Sequence, residues 1–294
     1  MPFHSGFIAI VGPPNVGKST LLNTILGEKL SIVTPKPQTT RNRIMGVLHG
    51  EGFQMVFVDT PGIHKTHTAL HRSMVQSARA ALHEVDIILT LVEMGRPDDP
   101  EIPPLIRSLR EFKKPRLLAV TKIDKGAKER LLPIMETFGR LNVFDAIVPV
   151  SALRGDGVPA LLAELRQRLR PGPAYFPQEV KTDQSESFLV SEIIREKIYH
   201  HTSQELPYAS AVSVERMEES QDGAILVIYA KIHVESDSQK GILIGRGGHK
   251  VKAIGSEARQ ELETIFDTKV FLDLTVRVEK NWQRDAKALK RLGY

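Results

Sequence analysis

Two stretches pose the chemical question: GPPNVGKST at residues 12–20 and ILIGRGGHKVKAIG at residues 242–255. Both place glycines where an apolar run gives way to a helical pattern. That is how a backbone approaches a phosphate. No side chain intervenes, amide N–H groups point outward, and the positive end of a helix lies behind them. In the first stretch Gly12, Gly17, Lys18 and Ser19 fit G-x-x-x-x-G-K-S/T directly after the strand-like FIAIV, the context this pattern requires. The loop Gly12, Pro13, Pro14, Asn15, Val16 and Gly17, with Lys18, Ser19 and Thr20 opening the helix, would hold a nucleotide's phosphates. Amides from Pro14 onward to Ser19, apart from the prolines, would wrap the β-phosphate. Lys18 would bridge the β- and γ-phosphates, and Ser19 would ligate Mg²⁺.

Three more stretches extend that site. DTPG at 59–62 follows the apolar MVFV. One strand beyond a phosphate loop, Asp59 can hold a magnesium water and the Gly62 N–H can meet the γ-phosphate, with Thr60, Pro61 and Ile63 alongside. TKID at 121–124 (Thr121, Lys122, Ile123, Asp124) ends the run RLLAV. A carboxylate at Asp124 accepts from guanine N1–H and the exocyclic amine together. Adenine presents an acceptor in place of that N1 donor, and the mismatch strands buried polar groups. Ser151, Ala152 and Leu153 follow AIVPV and would add a backbone contact to the guanine oxygen. The expected ligands are GTP and GDP with Mg²⁺.

Such residues need a scaffold. Residues 5–170 alternate strand-like runs (FIAIVG, FQMVFVDT, IILTLVEM, RLLAVTK, AIVPVS) with helical ones such as KSTLLNTILG and VPALLAELRQRL. This alternation predicts βαβ units, hence an α/β domain over 1–172 with a mostly parallel sheet flanked by helices. The prolines and glycine of RPGPAYFPQEV predict a stiff linker over 173–180. Over 181–294 the order becomes helix, two strands, helix, glycine turn, helix and strand, then a basic terminal helix. That predicts a smaller α+β domain.

The chain has no cysteine, which removes disulfide and thiolate chemistry and fits a reducing compartment. No apolar run reaches the ~18 residues of a membrane span, and the N-terminus lacks the basic region of a signal peptide. A cytoplasmic protein is expected. The net charge of +5 suggests nucleic acid, but its distribution does not place it simply. Residues 1–179 hold 23 Lys and Arg against 17 Asp and Glu, a net of +6. Residues 180–294 hold 17 against 18, a net of −1. A nucleic-acid contact in the second half must rest on local patches.

GPPNVGKSTLLN, QTTRNRI, DTPGI, TKID and SAL stand in the order and spacing of the Era family of translational-type GTPases, and the chain resembles that family throughout. It departs at Thr121, where the family's N-K-x-D has asparagine. That loses an amide and keeps one hydroxyl, which bears on affinity more than on specificity. The resemblance implies GTP hydrolysis, with Lys18, Thr40, Gly62 and Asn15 as the catalytic set. Ile63 occupies the position of the water-orienting glutamine of small signalling GTPases, so another group must place the water. Some relatives use a loop asparagine to seat K⁺ there, and Asn15 holds that place; the alternative is that it only shapes the loop. The first switch maps to Gln38, Thr39, Thr40, Arg41 and Asn42. Thr40 is the choice for the threonine that reaches Mg²⁺ and Thr39 the alternative. His64, His67 and His71 in the second switch have metal-like spacing, but a polar loop accounts for them too.

GRGG alone is a weak signal that also fits a plain helix break. Its setting resembles the KH domain, whose GXXG loop clamps RNA backbone, and the order of elements is that of the type II topology. On that resemblance RNA would be held by Ile244, Gly245, Arg246, Gly247, Gly248, Lys250, Val251 and Lys252, with Arg284 and Lys287 adding reach. Ile242 and Ile254 would join an apolar groove, and Trp282 would stack on a base or plug the domain. The family resemblance further implies the 3′ end of small-subunit (16S) rRNA and the small ribosomal subunit as partners. It also implies a peripheral fraction on the inner membrane, and a monomer is expected. The rival readings are an ATP-using P-loop enzyme, a nucleotide-holding scaffold, and a membrane-signalling GTPase whose second domain docks protein.

Overall fold

The computed structural model describes residues 2–36, 39–59 and 82–294. Gln38, Thr60, Pro61, Gly62, Ile63, His64, His67 and His71 lie outside the described residues. The chain divides into two compact units, one ending at Asp183 and the other Gln184–Tyr294.

The first unit is built on strands β1 (His4–Val11), β2 (Ile44–Gly50), β3 (Phe53–Asp59), β4 (Ile87–Glu93), β5 (Arg116–Thr121) and β6 (Ala146–Pro149), with the two-residue β7 (Arg170–Pro171). The sheet order is β2-β3-β1-β4-β5-β6, and β7 pairs with the start of β1. β1, β3, β4, β5 and β6 run parallel. Their apolar runs are buried on both faces because helices cover both. Among the described residues these include α1 (Lys18–Leu26), α2 (Ile102–Leu109), α3 (Leu131–Gly139) and α4 (Val158–Arg166). The parallel order puts the C-terminal ends of β1, β3 and β5 at one edge, where α/β sheets bind ligands.

Two features of this unit were not legible. β2 pairs antiparallel with β3 around Glu51 and Gly52, yet its sequence IMGVLHG carries two glycines and no clear alternation. The segment 173–183 is also more than a linker. The fully buried Gln54 side chain accepts from Tyr175 N (2.7 Å) and Phe176 N (3.1 Å) and donates to Phe176 O (2.8 Å). Further on, Val47 N donates to Lys181 O (2.8 Å), Thr182 Oγ1 to Met45 O (2.7 Å), and Met45 N to Asp183 Oδ1 (3.1 Å). His49 Nε2 meets Val180 O at 2.8 Å. The segment is therefore a strap zipped along β2. The unit boundary falls after Asp183, beyond the domain edges at 172 and 181 expected from the sequence.

The second unit runs α5 (Glu186–His201), β8 (Ala211–Glu219), β9 (Ile225–Val234), α6 (Asp237–Ile244), the turn Arg246–Gly248, α7 (His249–Phe266), β10 (Lys269–Val278) and α8 (Ala286–Arg291). β9 is central, antiparallel to β8 and parallel to β10. Its core joins Val190, Ile193 and Ile198 of α5 to Ile228, Ile232, Leu243, Ile254 and Leu262. Trp282 is fully buried and donates Nε1–H to Ala209 O at 3.2 Å, so it plugs the unit. Among the described residues no helix is long and apolar enough to cross a membrane.

Candidate functional site

A cavity of about 560 Å³ opens at the C-terminal edge of the first sheet. Pro14, Asn15, Val16, Gly17, Lys18, Ser19 and Thr20 form one wall, Thr39 and Thr40 another, and Thr121, Lys122, Asp124, Ala152 and Leu153 the third. The loop leaves β1 at Gly12, whose φ of +154 and a would-be Cβ 2.6 Å from Leu91 O admit only glycine. It then enters α1 behind Gly17, with no side-chain cap on the helix. Uncapped amides at a helix N-terminus favour an anion.

Lys18 is buried, and its Nζ donates to Gly12 O and Pro13 O, both at 3.0 Å. Burial lowers its pKa, opposed by Asp59 and Glu101. Ser19 Oγ donates to Asp59 Oδ2 at 2.8 Å and lies 3.0 Å from Thr40 Oγ1. Ser31 Oγ also donates to Asp59 Oδ2, at 3.1 Å. Burial raises the pKa of Asp59, against the Lys18 charge and the hydroxyl donors. Its other oxygen, Oδ1, is buried with no hydrogen-bond partner. Two hydroxyls converging on a buried carboxylate with a spare oxygen make an oxygen-only donor set, which suits Mg²⁺. The two candidate switch threonines part here. Thr40 faces Ser19, while Thr39 Oγ1 turns to Thr34 Oγ1 (2.6 Å) and Lys36 O (2.8 Å). Arg41 is buried and Asn42 half-buried. Asn15 has φ of +61, and its Nδ2 donates to Pro35 O at 2.7 Å. That bond ties the loop to the first-switch segment and leaves the amide oxygen as an acceptor.

At the base end Thr121 Oγ1 donates to Val16 O at 2.7 Å. The hydroxyl thus keeps the brace to the phosphate loop without an asparagine amide. Asp124 Oδ1 accepts from Ser151 Oγ at 2.6 Å, a bond that holds its carboxyl below the usual range. Ile123 N reaches Val150 O at 3.5 Å, and Ala152 O accepts from Thr24 Oγ1 at 2.7 Å. Sequence reasoning missed Glu93 and Arg96, which also line the cavity. Glu93 Oε2 accepts from Lys122 Nζ (2.8 Å) and Arg96 Nη2 (3.0 Å), and Arg96 reaches Pro14 O at 3.4 Å. The signal was an acid closing β4 with a cation three residues on.

In the second unit Gly245, Gly247 and Gly248 all have positive φ, and Gly247 at +60 sits inside the turn Arg246–Gly248. Arg246 and Gly247 are exposed, Ile244 and Lys250 half-buried. Beside the turn a shallow groove is lined by Val251, Lys252, Gly255, Ser256, Arg259, Leu272 and Leu274. Its apolar floor comes from β10 as well as α7, which the sequence did not show. Ile254 is a correction: it faces the core, fully buried, because α7 turns that side inward. Arg284 and Lys287 are exposed, and no described bond joins them to the turn.

A phosphate-loop sheet with a guanine-type base wall, followed by a turn-and-groove α+β unit, defines a P-loop GTPase carrying a KH domain. Known families agree: residues 7–122 match the model of the 50S ribosome-binding GTPases and residues 197–283 that of the KH domain. The chain is 51% identical over 292 residues to GTPase Era of Syntrophus aciditrophicus, covering 99% of this chain and 95% of that one. It is 48% identical to GTPase Era of Geobacter metallireducens, covering 100% and 98%. The chain belongs to the GTPase Era family. Among solved structures, a point variant of Aquifex aeolicus Era bound to GDP.AlF4- aligns with a TM-score of 0.95 at 36% identity over 99% of both chains. An Era in complex with MgGDPNP and nucleotides 1506–1542 of 16S ribosomal RNA aligns with a TM-score of 0.96 at the same identity, also over 99% of both.

Proposed function

We propose that this GTPase is a nucleotide-gated clamp on the 3′ end of small-subunit rRNA, acting in small-subunit assembly. The observation that carries the nucleotide half is the Ser19–Thr40–Asp59 cluster. Ser19, Thr40 and Asp59 would hold Mg²⁺, whose charge offsets that of the phosphates during transfer. Lys18 binds the β- and γ-phosphate oxygens, and the amides behind Gly17 fix the β-phosphate. Asp124, kept ionised by Ser151, selects guanine. Thr40 enters the first switch directly upstream of β2, so its engagement orders the segment that feeds the sheet edge. Asn15 offers its amide oxygen to K⁺ beside the phosphates, which would replace the charge an arginine supplies elsewhere.

The RNA half rests on the exposed positive-φ turn Arg246–Gly248 and the groove beside it. Turn amides with Arg246, Lys250 and Lys252 hold phosphates, and the Val251–Leu274 floor takes unstacked bases. The relatives support this reading, since an aligned Era was solved with MgGDPNP and an rRNA segment.

The test is a titration of a labelled single strand matching the rRNA 3′ end, with GDP and then with a non-hydrolysable GTP analogue at fixed salt. Tighter binding with the analogue, lost in Gly247→Asp, is expected. Equal affinity in both nucleotide states would remove the gating and leave two independent sites. Phosphate release should be faster in K⁺ than in Na⁺ and lose that preference in Asn15→Ala; cation-blind release would remove the K⁺ role.

A further inference from the structure

The end of the first sheet opposite the nucleotide carries a second cavity. It measures about 580 Å³ and lies where β5 and β6 begin, lined by Lys113, Lys114, Arg116, Asp145, Gln167 and Arg168. Residues 107–116 hold five cations against Glu111 alone, and residues 166–170 add three arginines. Some of this charge completes helix ends. Lys114 Nζ donates to Leu82 O (3.0 Å) and His83 O (2.6 Å), and Arg116 Nη1 to Leu109 O (3.0 Å). Carbonyls satisfy donors but leave the formal charge in place. Arg168 pairs with Glu164 at 2.6 Å. Among the described residues no carboxylate forms an ion pair with Lys113, Lys114 or Arg116. Asp145, the only acid in the lining, accepts from Arg116 N at 2.7 Å. Arg116 Nε is buried with no acceptor. Burial lowers the pKa of Lys114 and Arg170 adds like-charge repulsion, with Asp86 opposing. The lining is net positive, four cations against Asp145 with Glu164 paired to Arg168, and so is poised for an anion.

We propose that this pocket is a second RNA surface, on the GTPase domain, that takes the phosphodiester backbone without reading bases. The chemistry selects the class of partner. Several cations around one concavity match a polymer of phosphates, and each contact gains by counterion release. No aromatic lines the pocket to stack a base, so the contact positions and does not specify. None of the exposed large apolar side chains lines it either, so it lacks the anchor a bilayer surface requires. The surface also explains why the charge excess lies in the first half of the chain.

The test uses the full chain with Lys113→Glu and Gln167→Glu together. Both residues are exposed, and no described side-chain bond holds either in the fold. The probe is a short RNA duplex of arbitrary sequence, measured in a Gly247→Asp background that mutes the KH turn. Residual, salt-dependent binding should persist in that background. The double substitution should weaken it about ten-fold and flatten the slope of log affinity against log salt by about 1–2. GTP hydrolysis and the melting temperature should not move. An unchanged affinity and slope would overturn the proposal. So would loss of binding to phosphatidylglycerol vesicles with duplex binding intact, which would assign the pocket to lipid headgroups. If Gly247→Asp alone removed all RNA binding, this surface would fail while the KH reading stood. Failure of the KH reading would show instead as RNA affinity untouched by Gly247→Asp.

Discussion

Thr121 stands where the family has asparagine, and its hydroxyl alone carries the brace to Val16 O. Thr121→Val keeps the shape and removes the donor. The buried carbonyl is then stranded, at a cost of about 1–3 kcal/mol. A lower melting temperature and weaker GDP binding are expected together; if both hold at the wild-type value, the brace is dispensable. Ser151 makes a second residue-scale prediction. Its hydroxyl favours the charged form of Asp124, so the Asp124 carboxyl ionises below the usual range. In the proposed role guanine needs that carboxylate, so affinity is expected above the pKa and lost as pH falls through it. Ser151→Ala raises the pKa, and the acid limb of GDP affinity should move to higher pH. A limb that stays put, or moves lower, would remove Ser151 from this role. At this scale the sequence was informative wherever a motif fixes the chemistry, as at Lys18, Asp59 and Asp124. It could not separate Thr39 from Thr40, because neighbouring residues in a loop have no period and only folding sends one hydroxyl to Ser19. Glu93 escaped because its partners, Lys122 and Arg96, come from the end of β5 and the loop after β4.

The parallel strands were legible as elements because burial on both faces leaves an unbroken apolar run. β2 was not: it carries two glycines and no clear alternation, and its place is set by the turn at Glu51–Gly52 and by pairing with β3. The strap was hidden for a different reason. Its prolines announce extended chain but not what the chain lies against. Gln54 is the residue that decides it, since one side chain serves both Tyr175 and Phe176. Gln54→Leu should leave two amides and a carbonyl of the strap unpaired and destabilise the protein by about 2–3 kcal/mol. The melting temperature should fall, and proteolysis within 173–183 should quicken. A strap as protected as in the wild type would mean that the β2 contacts hold it alone. In the second unit Arg195 and Glu192 pair at 2.6 Å, nearly free of solvent. Arg195→Met removes one charge and strands the other, at about 3–5 kcal/mol. Melting should show this, while GDP affinity stays unchanged.

Over the whole chain, the proposed function gives each of the two units its own phosphate chemistry, and the expected link between them is thermodynamic. If GTP tightens RNA binding by some factor, RNA must tighten GTP binding by the same factor. Paired titrations that disagree would mean that the two sites do not share one equilibrium. The division into two units was legible from the change in element order, and the exact boundary was not, because the strap belongs by contact to the unit it follows. A chain ending at Asp183 should therefore melt higher than one ending at Gly172, with GDP binding in both; equal melting would make the strap an ornament.

β2 is the outermost strand of its sheet, and the strap occupies its free side at Met45 and Val47. A bare strand of this kind is a template on which another chain can add itself. Here the protein's own connector covers part of that row, so the passage between domains also acts as a guard against self-association. Any change that frees the strap, by truncation or at Gln54, should therefore make the G domain pair edge to edge and precipitate as its concentration rises.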